Sequence, residues 1–185
     1  MAFDSDASDL VANDTNSVDD VFVRDTVAGT TTRVSVGAGF AQSNGVSGST
    51  AISGDGRLVV FNSQGNNLVD GDTNSARDVF VRDLVANTTE RVSVAWDGQQ
   101  GDDDSFWPEI SGNGHVVVFD SDAENLVPGD VGGVRDLFVR DLVAETTTRI
   151  SVNGAGEGGD GISTGPAVSW DGRVIAFRSE ASNLV

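Results

Sequence analysis

The chain has 185 residues with 29 acidic and 11 basic side chains, which gives a formal net charge of −18. This acidity argues against a nucleic-acid partner, which would need a basic face, and against binding to an anionic membrane surface. The absence of cysteine excludes disulfides and thiol chemistry, and no apolar run approaches the roughly 18 residues of a membrane span. Abundant Val, Thr and Gly with only three Pro favour strands and tight turns over helices.

One unit recurs along the whole chain at a constant spacing of 58 residues. Its clearest marks are four phenylalanines in matching sequence contexts: Phe3, Phe61, Phe119 and Phe177. Four leucines keep the same spacing: Leu10, Leu68, Leu126 and Leu184. Such a period predicts a repeat architecture, and we expect a single repeat domain over residues 1–185 with unit boundaries near residues 3, 61, 119 and 177.

Each unit is predicted to contain four short strands, and the second unit illustrates the pattern. A brief apolar strand ends at Ile52-Ser53, and the turn Gly54–Gly56 follows, because Asp-Gly between apolar runs is a strong hairpin signal. The second strand is Arg57–Ser63, whose continuous apolar run suits burial on both faces. After a long loop come the third strand, Asp78–Leu84, and the fourth strand, Thr88–Val94, in which apolar residues alternate with others.

No segment shows helical periodicity, and four strands per unit without helices are typical of a propeller blade. The predicted fold class is therefore all-β, a β-propeller of four-stranded blades with three blade equivalents per chain. A parallel β-helix is the competing repeat fold, but it usually has a shorter period and lacks Asp-Gly hairpin turns.

The segments ISGDGRLVVFNS, ISGNGHVVVFDS and VSWDGRVIAFRS resemble the Ser-x-Asp-Gly-Arg-x-(Val/Ile)-Ala-Phe pattern of TolB-type, WD-like propeller repeats. The resemblance covers all three units, although each unit is longer than the usual repeat of that family. The family includes periplasmic interaction proteins and propellers attached to peptidases, so the resemblance implies a fold and a binding role without specifying a reaction. Together with the carboxylate-rich loops, it favours a location in the periplasm or outside the cell.

The two ends of the chain are expected to complement one another. The first unit is predicted to lack strand one and nearly all of strand two, whereas the last unit has strands one and two only. Three blades cannot close a ring of the usual roughly four to eight, so the chain is predicted either to form a two-fold homodimer or to be part of a longer propeller. In the six-bladed dimer, the last strands of each copy would complete the first blade of the other.

The loop before the third strand carries a pattern that suggests a calcium ion. In the second unit, oxygen-bearing side chains fall at positions 1, 3, 5 and 9 of a nine-residue loop: Asp70, Asp72, Asn74 and Asp78. Calcium takes roughly six to eight oxygen ligands, and this spacing lets one loop wrap them around an ion. The loop resembles the calcium loops of EF-hand-like and integrin-type propeller sites, in which position 7, here Ala76, provides a backbone carbonyl.

The other two loops depart from this pattern, and position 6, usually glycine, is Ser75 in the second loop. The first loop has Ala12 at position 1 and keeps three candidate ligands: Asp14, Asn16 and Asp20. The third loop keeps only two: Asp130 and Asp136. Since affinity follows ligand charge, we rank the second loop strongest and the third weakest. Asp and Asn also set turns by bonding their own backbone, so a purely structural role stays open.

Recurring charged residues on the strands have structural interpretations. The aspartates that end strand three are expected to cap turns or form local ion pairs: Asp25, Asp83 and Asp141. The arginines inside strand four are expected to form ion pairs between blades with a recurring aspartate: Arg33, Arg91 and Arg149.

The sequence favours a non-enzymatic binding or scaffold module. His115, the only histidine, occupies the position of Arg57 and Arg173 in the other units, so it is interpreted as a substitution at a repeated site and not as the base of a Ser-His-Asp triad. Paired carboxylates for glycoside hydrolysis stay open because acidic residues occur throughout. The alternatives are therefore a propeller domain of a hydrolase and a carbohydrate-binding propeller, and the expected ligand is a protein, a peptide or a glycan.

Divergence between units is concentrated in three linkers: Gly37–Ala51, Ala95–Glu109 and Asn153–Ala167. Trp96 and Trp107 both lie in the second linker, where exposed aromatic and polar residues at the rim of a propeller suit a sugar or peptide. Because large apolar side chains are more often buried, we expect Trp107 to pack between blades.

Overall fold

A computed structural model describes residues 1–185 as an all-β chain of thirteen strands. The strands are β1 (Ala2–Ser5), β2 (Asp20–Asp25), β3 (Thr30–Arg33), β4 (Ser47–Ile52), β5 (Leu58–Ser63), β6 (Asp78–Asp83), β7 (Thr88–Arg91), β8 (Ser105–Ile110), β9 (Val116–Ser121), β10 (Asp136–Asp141), β11 (Thr146–Arg149), β12 (Ser163–Val168) and β13 (Ile175–Ser179). The one helical element is a short 3-10 turn at Ala38–Phe40, and no helix has the length and apolar character needed to cross a membrane.

The strands form antiparallel sheets in which chain neighbours are also spatial neighbours. Two sheets have four strands, in the orders β4-β5-β6-β7 and β8-β9-β10-β11. They are flanked by a three-stranded sheet, β1-β2-β3, and a two-stranded sheet, β12-β13. The prediction of four-stranded antiparallel units is therefore confirmed. Neither the single-domain prediction nor the number of blades in a closed ring is decided by this arrangement.

The recurring phenylalanines pair within each sheet. Phe3 lies opposite Phe22 in the β1–β2 register, and the same register joins Phe61 to Phe80 and Phe119 to Phe138. The ring centroids lie 5.7, 5.9 and 5.9 Å apart in the three pairs, within the range of favourable offset stacking. The constant spacing in sequence thus corresponds to a constant cross-strand contact.

The hydrophobic core lies between successive sheets. One cluster joins the two four-stranded sheets and includes Val60, Val117 and Phe119. A second cluster joins the first sheet to the β4–β7 sheet and includes Val21 and Phe61. Val60, Phe61, Val117 and Phe119 are fully buried, which explains why the first four residues of β5 and of β9 are all apolar.

The first strand of each unit differs from the prediction. The sequence predicts a brief apolar strand, but β4, β8 and β12 each have six residues and begin inside the linkers. These strands carry a register shift that marks a β-bulge, and they form the inner edges of their sheets, with β8 lying between β4 and β12. We call β4, β8 and β12 the inner strands.

The first and last sheets also depart from expectation. The prediction that the first unit lacks nearly all of strand two is wrong, because β1 pairs with β2 over four residues. At the other end, β13 pairs only with β12, and Phe177 is half-buried without the ring partner that Phe3 finds in Phe22. β1 and β13 occupy equivalent positions in the repeat.

The linkers and the long loops meet at one end of the sheets, the loop end. Asn44 N–H donates to the Asn67 side chain, and the same bond recurs from Asp102 to Asn125 and from Asp160 to Asn183. The hairpin turns between the first and second strands lie at the opposite end, the hairpin end. Two backbone bonds of 2.9 Å connect them from sheet to sheet: Gly54 N–H to Gly112 O, and Asn113 N–H to Trp170 O.

Candidate functional site

A cleft opens where the inner strands come together, and we call it the inner-strand cleft. Its volume is about 410 Å³. It is lined by one residue of β1 and by the bulged segments of the three inner strands: Asp4, Ser49, Thr50, Trp107, Pro108, Glu109, Gly165 and Pro166. A concave site with one large aromatic side chain and a few polar groups has the usual make-up of a ligand site.

The bulge of β8 places Trp107 in this cleft. The backbone φ is 45° at Trp107, 48° at Ser49 and 66° at Gly165, which are equivalent positions of the three inner strands. This left-handed region favours glycine, so a tryptophan here is held in a strained conformation by the surrounding sheet. The fold thus imposes this backbone conformation in all three inner strands, and only β8 carries an aromatic residue at the position.

Two cleft residues of β8 have no counterpart in the other units. Trp107 stands where the others have Ser49 and Gly165, and Glu109 stands where they have alanine. The prediction that Trp107 packs between blades is wrong, because 56% of its surface is exposed. Glu109 is not among the predicted site residues, although its replacement of a repeated alanine is a signal present in the sequence.

The charges around the cleft are mostly acidic. Asp4 is exposed on β1, and desolvation raises the pKa of Glu109, because nearby protein atoms displace water from an otherwise exposed carboxylate. Arg178 on β13 lies beside Gly165 at the other rim, with its Nε 3.8 Å from the place that a Cβ of Gly165 would occupy. Asp120 on β9 is fully buried and accepts a hydrogen bond of 3.1 Å from Thr164 Oγ1.

The predicted calcium residues lie at the loop end, away from this cleft, and two of them bind an arginine. In the second unit, Arg91 contacts Asp72 at 3.1 Å and Asp78 at 3.3 Å. All three side chains are almost completely buried, with exposures of 8, 3 and 0%. The guanidinium therefore supplies positive charge to the carboxylates that the sequence predicts to bind calcium.

The remaining predicted ligands of the second loop point in different directions. Asn74 Nδ2 donates to Asp78 Oδ2 at 3.2 Å and to Gly101 O at 2.8 Å, so its amide N–H₂ group faces Asp78. Ala76 N–H donates to Asn74 Oδ1, which closes a local turn. Asp70 is exposed on the surface of the loop.

The same arrangement recurs in the other two loops. Arg33 contacts Asp14 and Asp20, each at 3.2 Å, and Asn16 Nδ2 donates to Asp20 at 3.0 Å. Arg149 contacts Asp130 at 2.6 Å and Asp136 at 3.2 Å. The prediction of recurring arginine–aspartate pairs is confirmed, but the prediction that they join different blades is wrong, since β2 carries Asp20 and the adjacent β3 carries Arg33.

Burial dominates the electrostatics of these clusters. It raises the pKa of Asp78 to about 6 against the lowering effect of Ser93 and Arg91, and it raises the pKa of Asp130 to about 6 against that of Arg149. No group of three or more acidic or histidine side chains converges as a metal-binding set would. Calcium binding stays a prediction. A calcium ion would have to compete with the arginines for the same carboxylates.

The other residues considered in the sequence have structural roles or none. Asp25, Asp83 and Asp141 each accept two backbone N–H bonds of 2.8–2.9 Å in the turn that follows, which confirms the turn-capping prediction. His115 is exposed, and its backbone N–H donates to Asn113 Oδ1 in the hairpin turn. Trp170, 67% exposed, lies across Gly54 and Gly112 at the hairpin end, while Trp96 is 61% exposed in the second linker.

Comparison with known proteins addresses the fold. No protein-family model and no curated protein sequence matches the chain. Among solved structures, TolB from Acinetobacter baumannii superposes with a TM-score of 0.56 at 19% identity, covering 93% of this chain and 34% of TolB. The chain has the fold of TolB-type propeller blades. The tricorn protease superposes with a TM-score of 0.55 at 13% identity, covering 89% of this chain and 13% of the protease.

These similarities confirm the predicted resemblance in architecture and do not extend to activity. The chain spans about a third of the length of TolB and a smaller share of the protease. One structural neighbour is a protease and the other is TolB, so the fold alone does not separate an enzyme from a binding module. That distinction depends on the residues of the inner-strand cleft.

Proposed function

We propose that this chain is a non-enzymatic binding module of the propeller type that holds its ligand in the inner-strand cleft. The observation that carries the proposal is Trp107, an exposed indole in a concave site and on a strained backbone, at a position that the other units fill with Ser49 and Gly165. Residues of the scaffold repeat from unit to unit, whereas a binding site needs residues that do not. Exposed tryptophan is also a frequent contributor to binding energy.

The lining of the cleft around Trp107 argues against hydrolysis by a Ser-His-Asp triad. His115 lies at the hairpin end of β9, outside the cleft lining, and the lining holds no serine–histidine pair. Asp4 and Glu109 do share the cleft with the indole, and this pair of carboxylates favours one alternative, the propeller domain of a glycoside hydrolase. Turnover of chromogenic glycosides, lost in Glu109→Gln, would establish that alternative.

We further propose that the module associates with itself to close a ring. The supporting observation is Phe177 on β13, whose repeat mates Phe3, Phe61 and Phe119 all stack on a phenylalanine of the third strand. A second copy could offer its Phe22 to Phe177. Since β1 already occupies that place on β2, the incoming β13 would have to displace it.

Calcium and location complete the proposal. Calcium would stabilise the second loop, where Asp70 is exposed and Asp72 and Asp78 lie close together around Arg91. The acidic loops and the resemblance of the repeats to TolB-type propellers support a place in the periplasm or outside the cell.

The binding proposal is tested through the indole N–H signal of Trp107 in nuclear magnetic resonance spectra, assigned by comparison with Trp107→Gly. Short peptides of varied charge and neutral oligosaccharides are titrated to millimolar concentration. We expect at least one class to shift the Trp107 signal while the signal of Trp96 stays in place. If no probe moves the Trp107 signal, the inner-strand cleft is not a ligand site.

A further inference from the structure

The inner-strand cleft offers an aromatic face and carboxylates but no basic group in its lining. Trp107 and Glu109 are provided by β8 and Asp4 by β1, so the indole lies in a cleft with acidic groups from two strands. All basic residues of the chain are arginines, and Arg178, the one beside Gly165, stands outside the lining.

We propose that the cleft takes a cationic group, the guanidinium or ammonium of a peptide side chain, packed on Trp107 and drawn by Asp4 and Glu109. The inference rests on the proposed binding function and names the chemistry of its ligand. The face of an indole attracts cations more strongly than that of any other aromatic side chain, and two carboxylates nearby add a charge-assisted hydrogen-bond acceptor.

Arginine–aromatic contacts are already present elsewhere in this chain. The Arg135 guanidinium lies 4.1 Å from the ring centroid of Phe106, the residue before Trp107, and Arg82 lies 5.4 Å from that of Phe40. Both phenylalanines therefore have a cationic partner within the chain, whereas Trp107 has none among the cation–aromatic contacts of the structure. The raised pKa of Glu109 is in keeping with a carboxylate that lacks a compensating positive charge.

The test compares three capped tripeptides that differ only in the central side chain: arginine, its uncharged isostere citrulline, and glutamate. Binding is measured by calorimetry and by the Trp107 indole signal at two salt concentrations. We expect the arginine peptide to bind at least tenfold more tightly than the citrulline peptide, with weaker binding at high salt. Lowering the pH through the pKa of Glu109 should weaken it further, since the neutral acid attracts no cation.

Matched variants separate the cleft from the general attraction of an acidic protein for cations. Trp107→Gly should lose the binding without unfolding, because Gly165 is the natural residue at the equivalent position with positive φ. Trp96→Ala, which copies Ala38 of the preceding unit, removes an exposed indole elsewhere and should bind normally. Glu109→Gln should weaken binding severalfold, whereas Asp103→Asn in the exposed linker should not.

The outcomes are distinct. Equal binding of the arginine and citrulline peptides overturns the cationic ligand, and so does binding that survives Trp107→Gly. A neutral oligosaccharide that alone shifts the Trp107 signal overturns this inference and leaves the binding proposal intact. If no probe shifts the Trp107 signal, both the binding proposal and the cationic ligand are overturned.

Discussion

Asp120 and Asn62 occupy the same position in successive units but differ in their hydrogen bonds. Asn62 Oδ1 accepts a bond of 3.2 Å from Arg77, whereas Asp120 Oδ1 is buried without any partner. Arg135, the counterpart of Arg77, makes its short contacts with Asp122 at 2.6 and 2.9 Å and lies 3.7 Å from Asp120. Burial raises the pKa of Asp120 to about 6.

Replacing Asp120 by asparagine should therefore stabilise the protein at neutral pH. The change copies the second unit and removes a buried carboxylate that is largely ionised at pH 7 with one unsatisfied oxygen, so we expect a gain of about 1 kcal/mol. Urea unfolding followed by Trp fluorescence measures it. The gain should shrink near pH 4, where Asp120 is protonated, and an equal effect at both pH values would contradict this explanation.

The arginine at the centre of each acidic cluster should be needed for stability. Arg91→Met leaves Asp72 and Asp78 buried without their partner, and we expect a loss of about 3–5 kcal/mol in the free energy of unfolding. The matched control is Arg57→Ala, which breaks the more exposed bridge of 2.6 Å to Asp83 and should change little. Equal losses in the two variants would show that burial of the cluster is unimportant.

The stability of the protein should rise as the pH is lowered from 7 towards 4. The pKa values of Asp78, Asp120 and Asp130 are raised to about 6 from an ordinary 3.8 by burial, so the folded chain holds these protons more tightly than the unfolded chain. Their stabilising contribution is complete below pH 3.8 and is lost as the pH rises through about 6.

Below pH 4 the trend should reverse. Arg57 and the backbone N–H groups of the following turn lower the pKa of Asp83 to about 2, so its contribution is present above pH 3.8 and is lost as the pH falls towards 2. Thermal unfolding by circular dichroism from pH 2.5 to 8 measures the profile. A midpoint that falls steadily from pH 7 to 4 would contradict the raised pKa values.

Ring closure by a second copy should be limited by β1. Residues 1–11 and 175–185 are equivalent in the repeat, so removing residues 1–11 vacates the place on β2 that β13 of another copy would take. We expect light scattering to show a larger dimer fraction for the shortened chain than for the full chain. Phe177→Arg in the shortened chain is the control and should restore the monomer. A monomer in every case argues against self-association.

The calcium proposal predicts a higher unfolding temperature in millimolar calcium than after chelation. A ligand present at a hundredfold excess over its dissociation constant adds about 2.7 kcal/mol of stability if it binds only the folded state. Asp70→Asn removes an exposed carboxylate of the second loop that has no part in the Arg91 cluster, so it should reduce a calcium effect without weakening that cluster. An unchanged unfolding temperature would contradict calcium binding and leave Asp72 and Asp78 with the structural role of pairing with Arg91.

The repeat, the order of the strands and the turn chemistry could all be predicted from the sequence. The phenylalanine spacing and the Asp-Gly turns are local or periodic signals, and the first four residues of β5 and of β9 are all apolar because sheets cover both faces of these strands. The turn-capping aspartates such as Asp83 were also predictable, since their bonds reach only two or three residues along the chain.

The division between site residues and scaffold residues depended on the packing of the sheets. The inner strands were predicted too short because polar and bulged residues such as Ser49 carry no period-two pattern. The calcium-like loops contain the carboxylates, but the arginine that lies among them comes from a strand 13 to 19 residues farther along, as Arg33 does for Asp20 and Asp14. Trp107 and Asp4 are far apart in sequence and share a cleft because packing of the sheets brings β1 and β8 to the same inner edge.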